Sequence, residues 1–286
     1  MIIVKIIGGL GNQMFQYAYA KALQEKGNEV KIDISVFNTY KLHGGYQLDK
    51  YKIDLKASTI EENNRFYKNT NMIKILRRLG YDKSTIIKEE TLLFDDTLLK
   101  VEDNNYISGY FQTELYFKDI RESILREFIM TNKYTSYTEK IQKNILSNSK
   151  TCSIHIRRGD FINNTNISLH GACDLSYYTE AIKFMNLQYR GLKYFIFSDD
   201  ISWVRENLEI EDALYIDSAE PRPPHEDIYL MSICSHNIIA NSSFSWWGAW
   251  LNQNQNKVVI APKRWFVDDE MDKQAKGIAP DGWIKI

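Results

Sequence analysis

The first 34 residues constrain the fold more than any other stretch. Ile2 to Ile7 is an unbroken apolar run, of the kind that lies buried in a parallel sheet. Gly8-Gly9-Leu10-Gly11-Asn12-Gln13 follows as a turn. Met14 to Leu23 then reads as a helix closed by Gly27, and Glu29 to Ile34 as a second strand. Together they form a βαβ unit with a short connection. The second half repeats the rhythm. Strands are expected at Cys152–Ile156, Lys193–Ser198, Ala213–Asp217, Asn237–Ala240 and Lys257–Ala261, and helices at Ser176–Leu187, Ile201–Asn207, Glu226–Cys234 and Phe244–Leu251. Such alternation predicts an α/β fold, with parallel sheets and helices on both faces. A polar stretch at 131–150 is the candidate interdomain segment. It leaves an N-terminal α/β domain at 1–130 and a C-terminal one at 151–286, two Rossmann-like domains facing a cleft where a ligand would sit.

The middle of the first half is less regular. Tyr40 to Tyr51 reads as a loop, Tyr106 to Gln112 as a strand and Lys118 to Phe128 as a helix. Residues 60–90 read as helical and basic: from Asn63 to Lys88 there are seven Lys or Arg against the single acid Asp82. A solvated face explains this, with a membrane-surface patch as the alternative. The net charge of -1 argues against nucleic acid as a partner. No apolar run approaches the roughly 18 residues of a membrane span. With no signal-peptide pattern at the amino terminus, the expected compartment is the cytoplasm. Cys152, Cys173 and Cys234 lack metal or disulfide spacing and are expected as free thiols.

Three segments carry chemistry. In Cys152-Ser153-Ile154-His155-Ile156-Arg157-Arg158-Gly159-Asp160, a strand places Ser153, His155 and Arg157 on one face and Cys152, Ile154 and Ile156 on the other. Two arginines at a strand end call for anions, and the guanidinium fork matches a diphosphate. An Arg158–Asp160 ion pair is the alternative. In the glycine turn, Gly9 and Gly11 fit a dinucleotide fingerprint and let backbone amides approach an anion, but Met14 stands where the third glycine belongs. Asp33 sits where a ribose-binding acid would. In Asn241-Ser242-Ser243-Phe244-Ser245-Trp246-Trp247, a strand ends and a helix begins. Ser242 and Ser243 with the first-turn amides make an anion site, or simply a helix cap. The paired tryptophans read as core. Asp227, in the first turn of a helix, is a cap or a carboxylate that accepts two N–H bonds from guanine. Asp199-Asp200 face opposite ways and make a poor metal site, and Asp268, Asp269 and Asp272 read as a solvated loop.

Taken together, Gly-Gly-Leu-Gly-Asn-Gln-Met-Phe-Gln-Tyr-Ala, His-Ile-Arg-Arg-Gly-Asp and Asn-Ser-Ser-Phe-Ser-Trp-Trp-Gly-Ala resemble the bacterial α-1,2-fucosyltransferases of glycosyltransferase family 11. His170-Gly171-Ala172-Cys173 resembles members that build O-antigen repeats, and Phe161 departs from the usual Tyr. The resemblance implies a GT-B-like architecture and GDP-β-L-fucose as donor. It implies no metal and no further cofactor. Transfer would go with inversion to O2 of a galactose-terminated glycan, free or lipid-linked, with docking at the inner membrane face as an open alternative. It assigns the donor phosphate to Arg157, with Arg158 beside it, and guanine to His155 and Asp227. It assigns the diphosphate and nucleoside to Ser242, Ser243 and Phe244. Asn12, with Gly9 and Gly11, would reach the donor from the other domain.

For the chemistry, charge developing on the β-phosphate calls for fixed cations, and Arg157 would fill the role a metal plays elsewhere. Asp33, Asp160 and Glu114 are candidate bases, and none is chosen. Two rival functions remain at this point: an NAD(P)-dependent oxidoreductase, and a non-catalytic nucleotide-sugar-binding protein.

Overall fold

The computed structural model describes residues 1–67, 85–158, 171–216 and 222–286. The chain divides into two units, Met1–Thr131 and Asn132–Ile286, each built on a parallel sheet.

In the first unit the sheet order is β2-β1-β4-β3: β1 Ile2–Lys5, β2 Val30–Asp33, β3 Thr85–Lys88 and β4 Asn105–Ser108. Ile2, Ile3 and Val4 are fully buried, as a central parallel strand requires. Helix α1, Leu10–Glu25, crosses from β1 to β2 and is buried over most of its length. It begins earlier than expected. Only Gly8 and Gly9 form the turn, and Leu10, Gly11, Asn12 and Gln13 already belong to the helix. Gly8 has φ +87, a backbone that L side chains rarely adopt.

The stretch expected to be helical at 60–90 also differs. Helix α2 spans Ile60–Tyr67, and Thr85–Lys88 is the edge strand β3, paired in parallel with β4. The rest of that basic segment lies outside the described residues. The Lys118–Phe128 region opens as a 3₁₀ turn and becomes helix α3 at Arg121–Glu127.

In the second unit the order is β10-β9-β8-β5-β6-β7, all neighbours parallel. The strands are β5 Thr151–Ile156, β6 Lys193–Ser198, β7 Ala213–Tyr215, β8 His236–Ile238, β9 Val259–Ala261 and β10 Ile284–Lys285. The sequence pattern missed β10, and the Asp217 end of the third expected strand lies outside the described residues. Central β5 is buried on both faces. Its Cys152, Ile154 and Ile156 pack with Tyr178, Ala181 and Met185 of α5, Leu175–Gln188, and with Val204 of α6, Ile201–Asn207. The buried Ile, Val and Met side chains among them contribute about 1.5–3 kcal/mol each.

On the other face, Asn237 donates to Ser153 Oγ (2.7 Å) and to the Met231 carbonyl (2.8 Å). That ties β5 and β8 to α7, Pro224–Ser232. Helix α8, Ser243–Trp250, packs beside α7, with Trp246 and Trp247 fully buried; they are core, as expected. Within the stretch expected to join the domains, Ser136–Leu146 is a helix, α4, seated on α7. Residues 269–274 form a last helix, α9. Asp268 caps it instead of lying in a loop, and Asp272 accepts the Trp265 and Phe266 N–H groups.

Candidate active site

The carboxyl end of β5 carries the charge. Arg157 Nη1 lies 3.1 Å from Asp199 Oδ2, and the Arg158 backbone N–H donates to Asp199 Oδ1 at 2.9 Å. The Arg158 guanidinium stacks 3.2 Å over the Trp203 ring. Its Nε is 3.5 Å from Asp200 Oδ2, an ionic contact that leaves this buried N–H without a hydrogen bond. The adjacent acids therefore face two different guanidinium groups. The parallel register makes this inevitable: Ile156 pairs with Ser198, so the residues leaving β5 and β6 emerge side by side. Asp200 also caps α6 through the Trp203 N–H. The expected alternative partner of Arg158, Asp160, lies outside the described residues, as do Phe161 and His170. Arg157 stays 27% exposed, enough for a ligand to reach it.

His155 is buried one residue earlier on the strand, 4% exposed, with no hydrogen bond to Nδ1. Burial, with a smaller contribution from the Arg157 charge, pushes its pKa down to about 3, so the ring is neutral near pH 7. Its ring lies 5.6 Å from that of Phe244. Phe244 is in the first turn of α8, where Ser242 Oγ accepts the Phe244 N–H at 3.3 Å. Because β8 runs parallel beside β5, its carboxyl end delivers Ser242, Ser243 and Phe244 to the same sheet edge as His155 and Arg157. The structure thus brings together six of the expected residues, counting Arg158.

Asp227 departs from the capping expectation. Its carboxylate does not cap α7; Arg222 grips it, with Nε to Oδ1 at 2.5 Å and Nη2 to Oδ2 at 3.2 Å. Burial raises the Asp227 pKa, and Arg222 opposes the shift. Arg222 was missed in the sequence, although an Arg five residues before an acid at a helix start is a readable signal. Asp199 was missed too, because its role depends on which strands are neighbours. The next acid, Glu226, is buried and accepts the Thr135 N–H (3.0 Å) and hydroxyl (2.6 Å).

The glycine segment of the first unit is held by two fully buried glutamines. Gln13 donates to the Gly8 and Gly45 carbonyls, both at 2.8 Å, and accepts the Gln47 N–H at 3.0 Å. Gln16 accepts the Ile7 N–H and donates to the Gly109 carbonyl. Gly9 is the N-cap residue of α1 and Gly11 lies in its first turn. Asn12 Oδ1 accepts from Gln112 at 2.8 Å. The dinucleotide reading fares poorly here. Asp33 is buried, 5% exposed, and turned inward by accepting from Tyr106 Oη (2.6 Å) and the Ser35 N–H (2.8 Å). Glu114 opens a 3₁₀ turn in this unit. Among the described residues no group of three His, Cys, Asp or Glu could hold a metal, and no helix is long and apolar enough to cross a membrane. The three cysteines are free, and burial raises the pKa of each.

Comparison with known proteins agrees with the sequence motifs. The family described as glycosyl transferase family 11 matches residues 1–286. An α-1,2-colitosyltransferase of Escherichia coli is 32% identical over 301 residues, covering 100% of this chain and 99% of that protein. The O-antigen biosynthesis glycosyltransferase WbnK of Escherichia coli is 30% identical over 303 residues, covering 98% of each. Among solved structures, the fucosyltransferase NodZ from Bradyrhizobium aligns with TM-score 0.50 and 13% identity, over 86% of this chain and 91% of its own. At that identity the likeness concerns the fold alone.

Proposed function

The chain belongs to glycosyl transferase family 11, with the α/β architecture of GT-B-like enzymes, and from that premise we propose that it is an inverting galactoside α-1,2-L-fucosyltransferase. The donor would be GDP-β-L-fucose and the acceptor a galactose-terminated glycan such as an O-antigen repeat, free or lipid-linked. One observation carries the donor assignment: a partly exposed arginine, a neutral buried imidazole with an orphan Nδ1 and a serine-capped helix start meet at one sheet edge. Buried polar atoms without partners are rare in proteins, and a bound nucleotide would supply partners here. Guanine fits a neutral His155, and a diphosphate fits Arg157 with Ser242 and Ser243 at the start of α8.

The chemistry follows from these roles. The C1–O bond to the β-phosphate breaks as the galactose 2-hydroxyl attacks C1 from the opposite face of the fucose ring, and the hydroxyl proton passes to water. Negative charge grows on the departing GDP. Arg157, held by Asp199, meets that charge without reorganising, an effect of the size of an oxyanion donor, about 3–4 kcal/mol. Asp199 thereby acts as a positioning residue. Arg158, stacked on Trp203, adds a second cation at the same edge. Gly9, Gly11 and Asn12 are proposed as the first unit's contribution, with Asn12 oriented by Gln112. Asp227 is proposed as a guanine contact through carboxylate lone pairs that Arg222 does not use.

A second donor has specific support. The colitosyltransferase relative covers the whole chain, so a colitosyl donor is the alternative within the same reaction class. The test is incubation of the protein with GDP-fucose, or with a colitosyl donor, and a panel of β-galactosides, followed by linkage analysis. Transfer to O2 is expected. Donor binding without transfer to any acceptor would leave a non-catalytic nucleotide-sugar-binding protein, and linkage at another hydroxyl would refute the α-1,2 assignment.

A further inference from the structure

The first unit holds a cavity of about 590 Å³ that none of the roles above uses. It opens beyond the carboxyl end of β2, the edge at which open parallel sheets take ligands. Its volume lies within the usual range for small-molecule sites. One wall is the 3₁₀ turn Ser35–Asn38 that follows β2; the other is the loop Lys41–Asp49.

That loop is unusually constrained. His43, Gly44 and Gly45 have φ of 55, 85 and 71, three left-handed residues in a row. The two glycines adopt this backbone freely, but His43 keeps it only where its surroundings hold it. Gln13 supplies the hold by binding the Gly45 carbonyl and the Gln47 N–H from inside α1. His43 also packs over Gly9, where an added Cβ would meet its Cβ at 3.5 Å. The cavity wall is thus fixed in place by the first turn of α1.

The lining has a definite chemical character. Phe37 and Tyr46 form an aromatic wall, with ring centroids 5.7 Å apart. Among the described residues, three lining groups make no hydrogen bond to another side chain or backbone group: the Ser35 hydroxyl, the Asn38 carboxamide and the Tyr46 hydroxyl. Lys41 and Asp49 balance in charge, and among the described residues the lining holds no arginine. Balanced charge and the absence of a guanidinium fork disfavour a phosphate. Hydroxyl and amide groups beside aromatic rings suit a neutral pyranose, which presents hydroxyls on its edge and C–H groups on its face. We propose that this cavity is a carbohydrate subsite. It would hold a neutral sugar residue of the acceptor glycan and select acceptors by that residue.

The proposal rests on the glycosyltransferase reading for the word acceptor, but its test does not depend on turnover. The full chain and the variants Asn38→Ala and Tyr46→Phe are titrated with a β-galactosyl disaccharide by saturation-transfer NMR, with and without GDP, and with GDP alone by calorimetry. Both substitutions remove hydrogen-bonding groups that hold no other group among the described residues, and a thermal melt confirms the fold. The expected result is a Kd for the disaccharide at least tenfold weaker in each variant, with the Kd for GDP unchanged within twofold. In assays of transfer, acceptor KM should rise while kcat holds. Equal disaccharide affinity in parent and variants overturns the proposal, as does a parent that binds no disaccharide with or without GDP. If disaccharide binding falls in the variants but no donor is ever turned over, the subsite stands and the transferase reading falls. If transfer proceeds with acceptor KM untouched by either substitution, the reverse holds.

Discussion

Lowering the pH from 7.5 to 5.0 should cost the second unit about 2 kcal/mol of stability through His155 alone. The folded ring has a pKa near 3, against 6.5 for a free histidine. A base depressed in this way stays neutral when folded and takes up a proton only on unfolding. Its contribution is therefore complete above pH 6.5 and drains away as the pH falls toward 3. Over the window down to pH 5.0 the unfolded ring titrates through about 1.5 units, at ~1.36 kcal/mol per unit. That loss hardly depends on the folded value so long as it lies below 5. All six tryptophans, at positions 203, 246, 247, 250, 265 and 283, belong to the second unit, so tryptophan fluorescence reports its unfolding selectively. With a urea m-value of about 2 kcal/mol/M, the midpoint of the parent should fall by roughly 1 M between the two pH values. His155→Phe removes the titration and keeps a ring against Phe244. His236 is depressed too, but parent and variant share it, so it cancels in the comparison. If His155→Phe loses as much stability as the parent, the imidazole is not the buried neutral group described here.

The remaining expectations concern single contacts. Arg157→Ala should abolish nearly all transfer in a folded protein, about 10²–10³-fold in kcat, and Arg157→Lys should recover little because the fork is lost; near-normal turnover would refute the assignment. Asp227→Ala should destabilise the second unit by about 1.5–3 kcal/mol, because it removes the two charged hydrogen bonds that Arg222 makes to it. The double change Arg222→Gln with Asp227→Asn should recover much of that loss on urea titration, yet still lack the preference for GDP over ADP; a preserved preference would make Asp227 purely structural. Gln13→Ala should lower the thermal midpoint followed by circular dichroism, losing about 2–4 kcal/mol, since two buried backbone groups and one part-buried one lose their partner; an unchanged melt would mean that the loop is held elsewhere. Transfer should persist in excess EDTA, because Arg157 and the start of α8 neutralise the leaving group; activity lost and then restored by Mn²⁺ would refute that.

What the sequence could and could not convey follows from the range of the interactions. The two faces of β5 were readable because alternation is local: Cys152, Ile154 and Ile156 had to share a side, and they do. The start of α8 was readable because Ser-Ser before an apolar run is a capping signal, and Ser242 caps it. The early start of α1 was not, since Gly11 and Asn12 are poor helix formers and only the tertiary grip of Gln13 and Gln16 makes their helical turn worthwhile. Edge strand β3 escaped because Thr85–Lys88 is largely exposed and so carries no buried face to pattern. The ion pairs were the least legible. Arg157 with Asp199 depends on the order β8-β5-β6, which no local window contains.

The contact between α4 and α7 decides how genes of this kind can be recombined. Tyr134 stacks on Tyr229 at 4.3 Å, Gln142 donates to the Tyr229 hydroxyl, and Thr135 supplies both donors to the buried Glu226 carboxylate. A chimaera joined at residue 150 would take α4 from one parent and α7 from another. Any mismatch would leave a carboxylate buried without its two donors and bare one face of Tyr229. A junction at Thr131–Asn132 carries the whole contact across intact, so second units from different relatives should exchange more readily there than at residue 150.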